Sequence, residues 1–525
     1  MPETETMNTG EIPRPAPAGT RQLQDTRPHR DDARDAAPGH AAHDDPHHAR
    51  RWLILAVIGI AQLMIVLDAT IVNIALPDAQ KALGFSNADR QWIVTAYSLA
   101  FGGLLLFGGR LADLIGRRNT FLIGLVMFAA ACALGGAAPN FDVLVAARAL
   151  QGAAGALLAP AALSLLTTTF TDARERATAF AVFGGIAGSG AAIGLLLGGL
   201  LTEYLDWRWT LFVNVGFTVF ALAGAILLLH TRRPEHRPKL DLFGTATVSG
   251  ALFGLVYGFS NASTHGWHSP STWGYLVAAG VLLITFTWWQ SRASHPLLPL
   301  RIVLDRDRGG SLAAVFITGA GMFGVFLFLT YYLQTMLGYS PVRTGLAFLP
   351  MIGVLMIAAT MATTRLLPRV GGRPLVGFGM VMAAGAMAWL TGIGVTTSYP
   401  AHILGPLLLM GIGLGLVMAP AMNTATLGVD PDDAGVASAM VNTMQQIGGS
   451  IGTALLNTLA ASAASAYLVG KRPTPDVLAQ AQLHSYTTTF WWSAGIFAAG
   501  AIICGLLLRP GVRAADPNAA PAVHM

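Results

Sequence analysis

Apolar stretches of about twenty residues recur along most of the chain, separated by short polar segments. Each stretch is long enough to cross the ~30 Å hydrocarbon core of a bilayer as an α-helix. The pattern predicts an all-α polytopic membrane protein with fourteen spans, and the even number places both termini on one side. The predicted spans begin near residues 52, 91, 119, 141, 177, 209, 242, 272, 310, 344, 374, 402, 433 and 487.

Composition supports a membrane protein, because the chain is 53% hydrophobic and only 11% charged, against about 25% charged in a typical soluble domain. Residues 1–50 differ: they are polar and lack the hydrophobic centre of a secretory signal, which predicts a disordered cytoplasmic tail. Metal binding by the histidines of this tail is the less favoured interpretation. Those histidines are His29, His40, His43, His47 and His48.

Cys132 and Cys504 are the only cysteines, and both lie within apolar runs. Neither has a neighbouring His or Cys, so the sequence predicts two buried apolar side chains rather than a metal site. A nucleotide-binding Gly-x-x-x-x-Gly-Lys-Ser/Thr loop is absent from the sequence as well. Neither ATP-driven pumping nor an enzyme activity is expected, and no metal or other cofactor is predicted.

Basic residues are concentrated in alternate loops, which predicts the orientation because cytoplasmic loops carry an excess of Arg and Lys. One set of loops contains only Lys81, Arg90, Arg208, Arg343, Lys471 and Arg472. The other set contains Arg110, Arg117, Arg118, Arg174, Arg176, Arg232, Arg233, Arg237, Lys239, Arg292, Arg301, Arg306, Arg308, Arg365, Arg369 and Arg373. Both termini are therefore expected in the cytoplasm. The strong preference for Arg over Lys favours a bacterial origin, and thus a bacterial inner membrane.

Two short self-similarities predict a duplicated architecture. Residues 110–118 resemble residues 365–373, and residues 155–161 resemble residues 415–421. Both matches fall at equivalent places if spans 1–6 and 9–14 are two copies, and such repeats with a site between them are typical of transporters. The predicted divisions are a tail (1–50), a six-helix bundle (51–235), an inserted helix pair (236–300), a second bundle (301–510) and a tail (511–525).

Asp68 is the only carboxylate deep inside an apolar span. A carboxylate at that depth costs about 2.5–3.5 kcal/mol on insertion scales, which indicates a partner or a function. Arg148 lies at the same depth in span 4, since each residue is ~10 Å from the same end of its helix at 1.5 Å per residue. If both side chains face the central cavity, Arg148 would stabilise the ionised Asp68. The alternative is a static ion pair that only fastens span 1 to span 4.

The loop after span 2 contains Gly109, Asp113, Gly116, Arg117 and Arg118. The two glycines permit a tight turn or a close helix approach. Asp113 can pair with Arg117 or with the start of a neighbouring helix. A basic loop that only sets the topology is the alternative interpretation.

These segments resemble signature motifs of the major facilitator superfamily, in particular of its fourteen-span drug:H+ antiporter branch. The loop of residues 108–118 is similar to the first cytoplasmic signature, and Leu67–Pro77 to the first-helix motif of the branch. Arg148–Gly152 resembles the fourth-helix motif, while Trp207–Trp209 and Asn214 fit the pattern around span 6. The resemblance covers residues 50 to 510.

The resemblance implies a monomeric proton-coupled exporter of lipophilic, often cationic drugs or related metabolites, with two six-helix bundles and an inserted pair. Protons, a lipophilic small molecule and the bilayer are the expected partners, without nucleic acid. By resemblance, Asp68 and Arg148 are the proton-coupling residues. The loop around Asp113 is then a cytoplasmic latch that favours the outward-facing state.

One motif departs from the family. Its fifth-helix motif contains Gly-Pro followed by Gly-Gly, whereas this chain has Gly194, Leu195, Gly198 and Gly199. Without the proline the helix should bend less, while the glycines still permit close packing. The departure keeps open an exporter of lipids or lipid-like conjugates; a proton symporter and a non-transport receptor are weaker alternatives.

Polar residues in or near the ends of the spans are candidates for the lining of a cargo cavity. For each of them, a hydrogen bond that merely joins helices is an equally good interpretation. The candidates are Thr70, Asn73, Tyr97, Gln151, Gln334, Asn442, Gln445 and Gln446.

Overall fold

The computed structural model describes residues 50–511, apart from residues 88, 171–172, 230–240, 295, 428 and 430–433. The predicted N-terminal tail and its histidines lie outside the described residues. In the described part the chain is helical and contains no strand, and fourteen of its helices are long and apolar enough to span a membrane. The all-α polytopic fold expected from the sequence is therefore confirmed.

The spanning helices are connected by short segments and a few small helices. In chain order the helices are α1 (Arg51–Leu83), α2 (Gln91–Ile115), α3 (Arg117–Gly136), α4 (Phe141–Thr169), α5 (Ala173–Tyr204), α6 (Trp209–Leu228), α7 (Leu242–His265), α8 (Pro270–Gln290), α9 (Leu300–Leu304), α10 (Arg306–Tyr331), α11 (Pro341–Met361), α12 (Leu367–Val370), α13 (Gly372–Leu390), α14 (Tyr399–His402), α15 (Leu404–Thr426), α16 (Ala434–Leu468) and α17 (Pro475–Leu507). Single π-turns, Tyr332–Met336 and Ala362–Leu366, extend α10 and α11.

The start of the last span was predicted wrongly. The expected start near residue 487 follows the apolar run, but α17 begins at Pro475. The side-chain oxygen of Thr474 accepts a hydrogen bond from the backbone N–H of Val477 at 3.4 Å, and Pro475 occupies the first turn. An N-cap followed by proline starts a helix regardless of hydropathy, so polar turns precede the apolar segment.

The six helices of each half pack in the same arrangement. In the first bundle, α1 packs against α5 and α6, α2 against α4, and α3 against α4 and α6. In the second bundle, α10 packs against α16 and α17, α11 against α15, and α13 against α15 and α17. The bundles meet mainly through two pairs of helices, α2 with α16 and α5 with α11, and α1 adds smaller contacts with α10 and α11.

The inserted pair, α7 and α8, packs together, and α7 also packs against both α2 and α16. The Ser249 hydroxyl on α7 donates to the carbonyl of Gly103 on α2 at 3.2 Å. The Thr458 hydroxyl on α16 donates to the carbonyl of Phe259 on α7 at 2.8 Å. The helix α7 therefore contacts both bundles where they meet.

Arginines are concentrated at one end of the helices. We call this end, where α1 begins, the Arg-rich side, and the opposite end the Arg-poor side. On the Arg-rich side Arg118 donates to the carbonyl of Leu229 at 2.7 Å, and Arg306 donates to that of Leu507 at 2.8 Å. Cations at the carboxyl ends of helices satisfy the last carbonyl groups and stabilise the helix dipole.

Candidate functional site

Asp68 lies on α1 in the centre of a hydrogen-bond network within the first bundle. Its Oδ2 accepts from Arg148 on α4 at 2.7 Å. Its Oδ1 accepts from the side-chain amides of Gln151 on α4 and Asn214 on α6, both at 3.1 Å. The carboxylate is thus held by one cation and two amides, so it joins three helices.

Arg148 is held by more than its carboxylate partner. Its Nε donates to the backbone carbonyl of Ile93 on α2 at 3.0 Å, and its NH1 also donates to Gln151 Oε1 at 3.0 Å. The guanidinium carbon lies 4.5 Å from the ring centre of Tyr97, within the range of a cation–π interaction. Arg148 would therefore keep contacts with α2 and α4 if Asp68 became neutral.

The network is enclosed by the first bundle. The exposed fraction is 0% for Asp68 and 2% for Arg148. The sequence brought the two residues to one depth, and the structure places them in contact, in the interior of the bundle and without an open cavity surface. A buried pair of this kind requires that its remaining polar atoms find partners, which explains the two amides.

Glycines on α2 and α4 allow the network to form. A Cβ at Gly152 would collide with the carbonyl oxygen of Tyr97, and a Cβ at Gly108 on α2 with the carbonyl oxygen of Ala156. Small residues let helix backbones approach closely in a membrane. This approach brings the Ile93 carbonyl within reach of Arg148.

Sequence reasoning did not assign Cys132 or Asn214 to this site. Cys132 on α3 is buried as expected, but its Sγ also accepts from Gln151 Nε2 at 2.9 Å. Asn214 was noted only as part of a motif. A polar residue inside an apolar span is the signal that marks Asn214, whereas a lone cysteine in such a span carries none.

The glycines of α5 face two different neighbours. A Cβ at Gly194 would collide with the Thr70 hydroxyl on α1. Gly198 also faces α1, at Ile71, while Gly199 faces the backbone of Pro341 and Val342 in the second bundle. Leu195, which replaces the proline of the motif, is completely buried.

The predicted latch is only partly described, because the side chain of Asp113 lies outside the described residues. Gly116 ends α2 with a φ of +92° and precedes α3 directly, a backbone conformation that favours glycine. Gly109 faces Pro160 on α4. Arg117 starts α3, and the adjacent Arg118 contacts the end of α6 as described above. The latch role remains a prediction.

The eight cavity candidates fall into three groups according to their contacts. Gln151 and Tyr97 belong to the Asp68 network. Thr70, Asn73 and Asn442 bond to backbone carbonyls of their own helices. The remaining three lie where the bundles meet or within the second bundle: Gln334 donates to the carbonyl of Ile74 at 3.0 Å, Gln446 lies against Gly102, and the backbone of Gln445 lies against Gly319.

Contacts between the bundles close the Arg-poor side. The Tyr331 hydroxyl on α10 donates to Gln80 Oε1 on α1 at 2.6 Å. The Arg90 guanidinium lies 4.2 Å from the ring centre of the same tyrosine. The backbone N–H of Val342 on α11 donates to Glu203 on α5 at 3.0 Å. The structure therefore represents a state that is sealed on this side.

Comparisons with known proteins agree with this architecture. A family model described as Major Facilitator Superfamily matches residues 58–453. The puromycin resistance protein of Streptomyces alboniger is 47% identical over 476 residues, which cover 90% of this chain and 94% of that protein. The cephamycin export protein of Amycolatopsis lactamdurans is 39% identical over 408 residues, which cover 77% and 84%.

Solved structures share the fold. The crystal structure of an auto-inhibited POT family peptide transporter has a TM-score of 0.66 and 16% identity, and the match covers 90% of this chain and 100% of that one. An identity this low supports the fold only. The family match and the curated relatives, together with the fourteen spans, identify the lineage. The chain belongs to the major facilitator superfamily, as a fourteen-span transporter of the drug antiporter type.

Proposed function

We propose that this chain exports lipophilic antibiotics, or a related metabolite, across a bacterial inner membrane in exchange for protons. The observation that carries the proposal is the Asp68–Arg148 pair, a titratable group buried in one bundle of a two-bundle transporter. Ionisable groups at membrane depth commonly serve ion pathways and proton relays. The names of the curated relatives, which include puromycin resistance and cephamycin export, support the cargo class.

The proposed orientation places the Arg-rich side in the cytoplasm, in keeping with the positive-inside rule. The described state is then closed to the outside. Cargo would enter from the cytoplasm and leave on the Arg-poor side as the two bundles rock around a site between them. We further propose that the chain works as a monomer and needs no cofactor besides the proton gradient.

Helix α1 offers a physical connection between the proton site and the closed side. It carries Asp68 and, six residues further on, the Ile74 carbonyl that accepts from Gln334 of the second bundle. Protonation would remove the charge that holds α1 to Arg148, while Arg148 keeps its bonds to Ile93 and Gln151. The other helices of the first bundle then bind α1 less tightly. The equilibrium between the states closed and open on the Arg-poor side shifts as a result.

The test is puromycin export from an efflux-deficient bacterial host, with and without a proton uncoupler, in the wild type and in Asp68→Asn. Asparagine has the shape of aspartate but cannot exchange a proton at pH 7. We expect the wild type to raise puromycin tolerance at least fourfold and to lose this effect with the uncoupler. Asp68→Asn should fold and bind cargo but fail to export it uphill.

Asp78→Asn is the matched control, because Asp78 is a carboxylate on the same helix whose partner, Lys81, is largely exposed. This variant should export like the wild type. Full proton-driven export by Asp68→Asn would overturn the proposed coupling site. Cargo-induced alkalinisation of a weakly buffered suspension, with cargo accumulating inside, would instead identify a symporter.

A lipid-like cargo is the second candidate, because Leu195 occupies the place of the motif proline. Leu195→Pro tests it by restoring the family pattern. A shift of preference from acylated cargo toward puromycin in that variant would favour a lipid exporter. An unchanged cargo range would remove the argument for lipid.

A further inference from the structure

Polar side chains line the faces of α2 and α16 that meet between the bundles. On α2, Gln91, Thr95 and Ser98 are spaced by three or four residues and so share one face of the helix, which Gly102 continues. The facing side of α16 shows the same spacing. Its residues are Thr443, Gln446, Ser450, Thr453 and Asn457. We call these two rows together the polar seam.

Two contacts fix how the rows align. A Cβ placed on Gly102 would lie 3.1 Å from the Cβ of Gln446. Toward the Arg-poor side, Arg90 Nε donates to Asn457 Oδ1 at 3.4 Å. The helices run in opposite directions with the same rise per residue, so steps along α2 match reverse steps along α16. Ser98 is therefore level with Ser450, and Thr95 with Thr453.

The hydroxyl groups of the seam are buried at a cost. Thr95 is 1% exposed, while Ser98 and Thr453 are 0% exposed. In the described part of the chain, none of these three hydroxyl oxygens has a hydrogen-bond partner. Unsatisfied polar groups at membrane depth are unfavourable, and irregular or polar surface there is tolerated where it lines a water-filled cavity. A seam that remained closed in every state would be better built from apolar side chains.

Arg90 closes the Arg-poor end of the seam. It is 4% exposed, and its guanidinium lies over the rings of Tyr331 and Phe328 on α10, 4.2 and 5.3 Å from their centres. These contacts attach α2 to the second bundle in the closed state. Water would solvate the same cation once the seam opened, so Arg90 has a favourable environment in both states.

The contact between α5 and α11 is built differently. A Cβ at Gly345 on α11 would lie 2.6 Å from the carbonyl oxygen of Leu195, and one at Gly199 on α5 would lie 2.8 Å from the carbonyl oxygen of Pro341. Here backbone meets backbone, as in small-residue helix contacts that persist in membranes. Close backbone packing of this kind leaves no room for water between the helices.

We propose that the transporter opens unequally toward the Arg-poor side: the polar seam parts and fills with water, with Arg90 as its lock. The helices α5 and α11, together with the bond between Val342 and Glu203, remain packed as the pivot. The seam then forms the exit wall for cargo, and its hydroxyl and amide groups suit amphipathic molecules that carry hydrogen-bonding groups. This inference rests on the proposed export function.

Cysteine labelling during transport tests the inference. Ser98→Cys places a thiol in the seam, and Leu195→Cys places one in the α5–α11 contact, where the native side chain is equally buried. Lys471→Cys, exposed on the Arg-poor side, shows from which face the reagent acts. The unmodified chain, whose two native cysteines are buried, gives the background. The probe is a membrane-impermeant methanethiosulfonate, applied to right-side-out and inverted vesicles during puromycin export.

From the face that labels Lys471→Cys, we expect Ser98→Cys to react at least tenfold faster than Leu195→Cys. Equal rates would mean that both contacts open alike, and no reaction at Ser98→Cys in a variant that still exports would mean that the seam stays dry; either result overturns the inference. If the unmodified chain exports no puromycin, the proposed function fails instead. Thr453→Cys, on the opposite wall, replaces Ser98→Cys if the latter does not accumulate.

The lock is tested in the Ser98→Cys background. Arg90→Gln removes the cation from the two rings and should raise the labelling rate without a proton gradient about tenfold. Arg208→Gln is the matched control, since Arg208 lies over Trp207 and donates to carbonyls of its own bundle. An unchanged rate in Arg90→Gln, or the same rise in Arg208→Gln, would contradict the role of Arg90.

Discussion

The two bundles have the same helix packing but opposite interiors. Gly152 on α4 and Gly411 on α15 make the same contact with a neighbouring backbone, at Tyr97 and Met351 respectively. This contact pairs α4 with α15 one residue away from the register of the sequence match between residues 155–161 and 415–421. Counting back four residues from each glycine pairs Arg148 with Leu407, and counting back one pairs Gln151 with Met410. The first bundle thus holds an ion pair where the second holds buried apolar side chains.

The position of Cys132 also corresponds to a buried apolar residue in the second bundle. Gly116 and Gly371 both have positive φ and directly precede α3 and α13. Counting equally far from these glycines pairs Cys132 with Met387, and both are completely buried. The helix packing that both bundles share therefore does not by itself require polar residues at these positions. The comparison assigns the polar network of the first bundle to a task that the second bundle does not share.

The most severe test of the comparison is Arg148→Leu, which gives the first bundle the residue of the second. It leaves the Asp68 carboxylate buried without its cation, and breaking such a pair costs about 3–5 kcal/mol. We expect a large loss of folded protein and a lower midpoint in thermal unfolding in detergent. The double variant Arg148→Leu with Asp68→Asn removes both charges and should recover most of the folded protein without proton-driven export.

Equal stability of the single and double variants would show that the carboxylate does not need Arg148. The difference between the bundles would then be one of composition only. Size-exclusion chromatography of the solubilised protein, run on both variants, gives the folded fraction independently of transport.

Met410→Ala tests the apolar side of the comparison. Met410 is completely buried, and truncation of a buried methionine to alanine costs about 2–5 kcal/mol in well-packed cores. We expect thermal unfolding at a lower temperature, while the remaining folded protein keeps its sensitivity to the uncoupler. A folded variant that exported puromycin independently of the proton gradient would place coupling in the second bundle as well.

Sequence reasoning reached the fold because a bilayer imposes a length on every span, and the apolar runs obey it. It also placed Asp68 and Arg148 at one depth, since helical rise converts residue number into distance. It did not distinguish Gln151, which binds Asp68, from Gln334, which joins the bundles. Both are amides in apolar spans, and their neighbours depend on how each helix is rotated in the bundle. Arg90 was counted only as a loop charge for the same reason.

A smaller effect on thermal stability is expected from Cys132→Ala, which removes one hydrogen-bonding group from the interior of the first bundle. The thiol accepts one hydrogen bond from Gln151, whose amide also donates to Asp68. A typical hydrogen bond contributes about 1 kcal/mol net, and the loss of one buried sulfur adds a small cavity. Thermal unfolding should shift by a few degrees at most, with export retained. Loss of export in a stable Cys132→Ala protein would instead make the thiol part of the coupling network.

The smallest effect concerns Asp241, a carboxylate that accepts several hydrogen bonds, as Asp68 does, but is located at a helix start. Burial raises its pKa, but hydrogen bonds from Gln290, the backbone of Gly244 and Trp289 outweigh this and hold the pKa below its usual value. A carboxyl with a lowered pKa in the folded state stabilises the fold above its unfolded pKa, and this stabilisation is lost as the pH falls through the folded pKa. We therefore expect acidification below about pH 4 to loosen the α7–α8 pair.

Asp241→Asn should remove that pH dependence and leave coupling unchanged, because the partners of Asp241 in the described part of the chain lie at the ends of α7 and α8 or just after α8, and none of them belongs to the Asp68 network. Hydrogen exchange of the α7 and α8 amides, measured at about pH 3 and at pH 7 and expressed as protection relative to an unstructured peptide at the same pH, gives the readout. Lower protection of the wild type at about pH 3 than at pH 7, with no such change in Asp241→Asn, is the expected result. Equal acid sensitivity in the variant would assign the effect to another carboxylate. If Asp241→Asn also lost proton-driven export, the inserted pair would take part in coupling along with the first bundle. Its helix α7 contacts both bundles and could transmit such an effect.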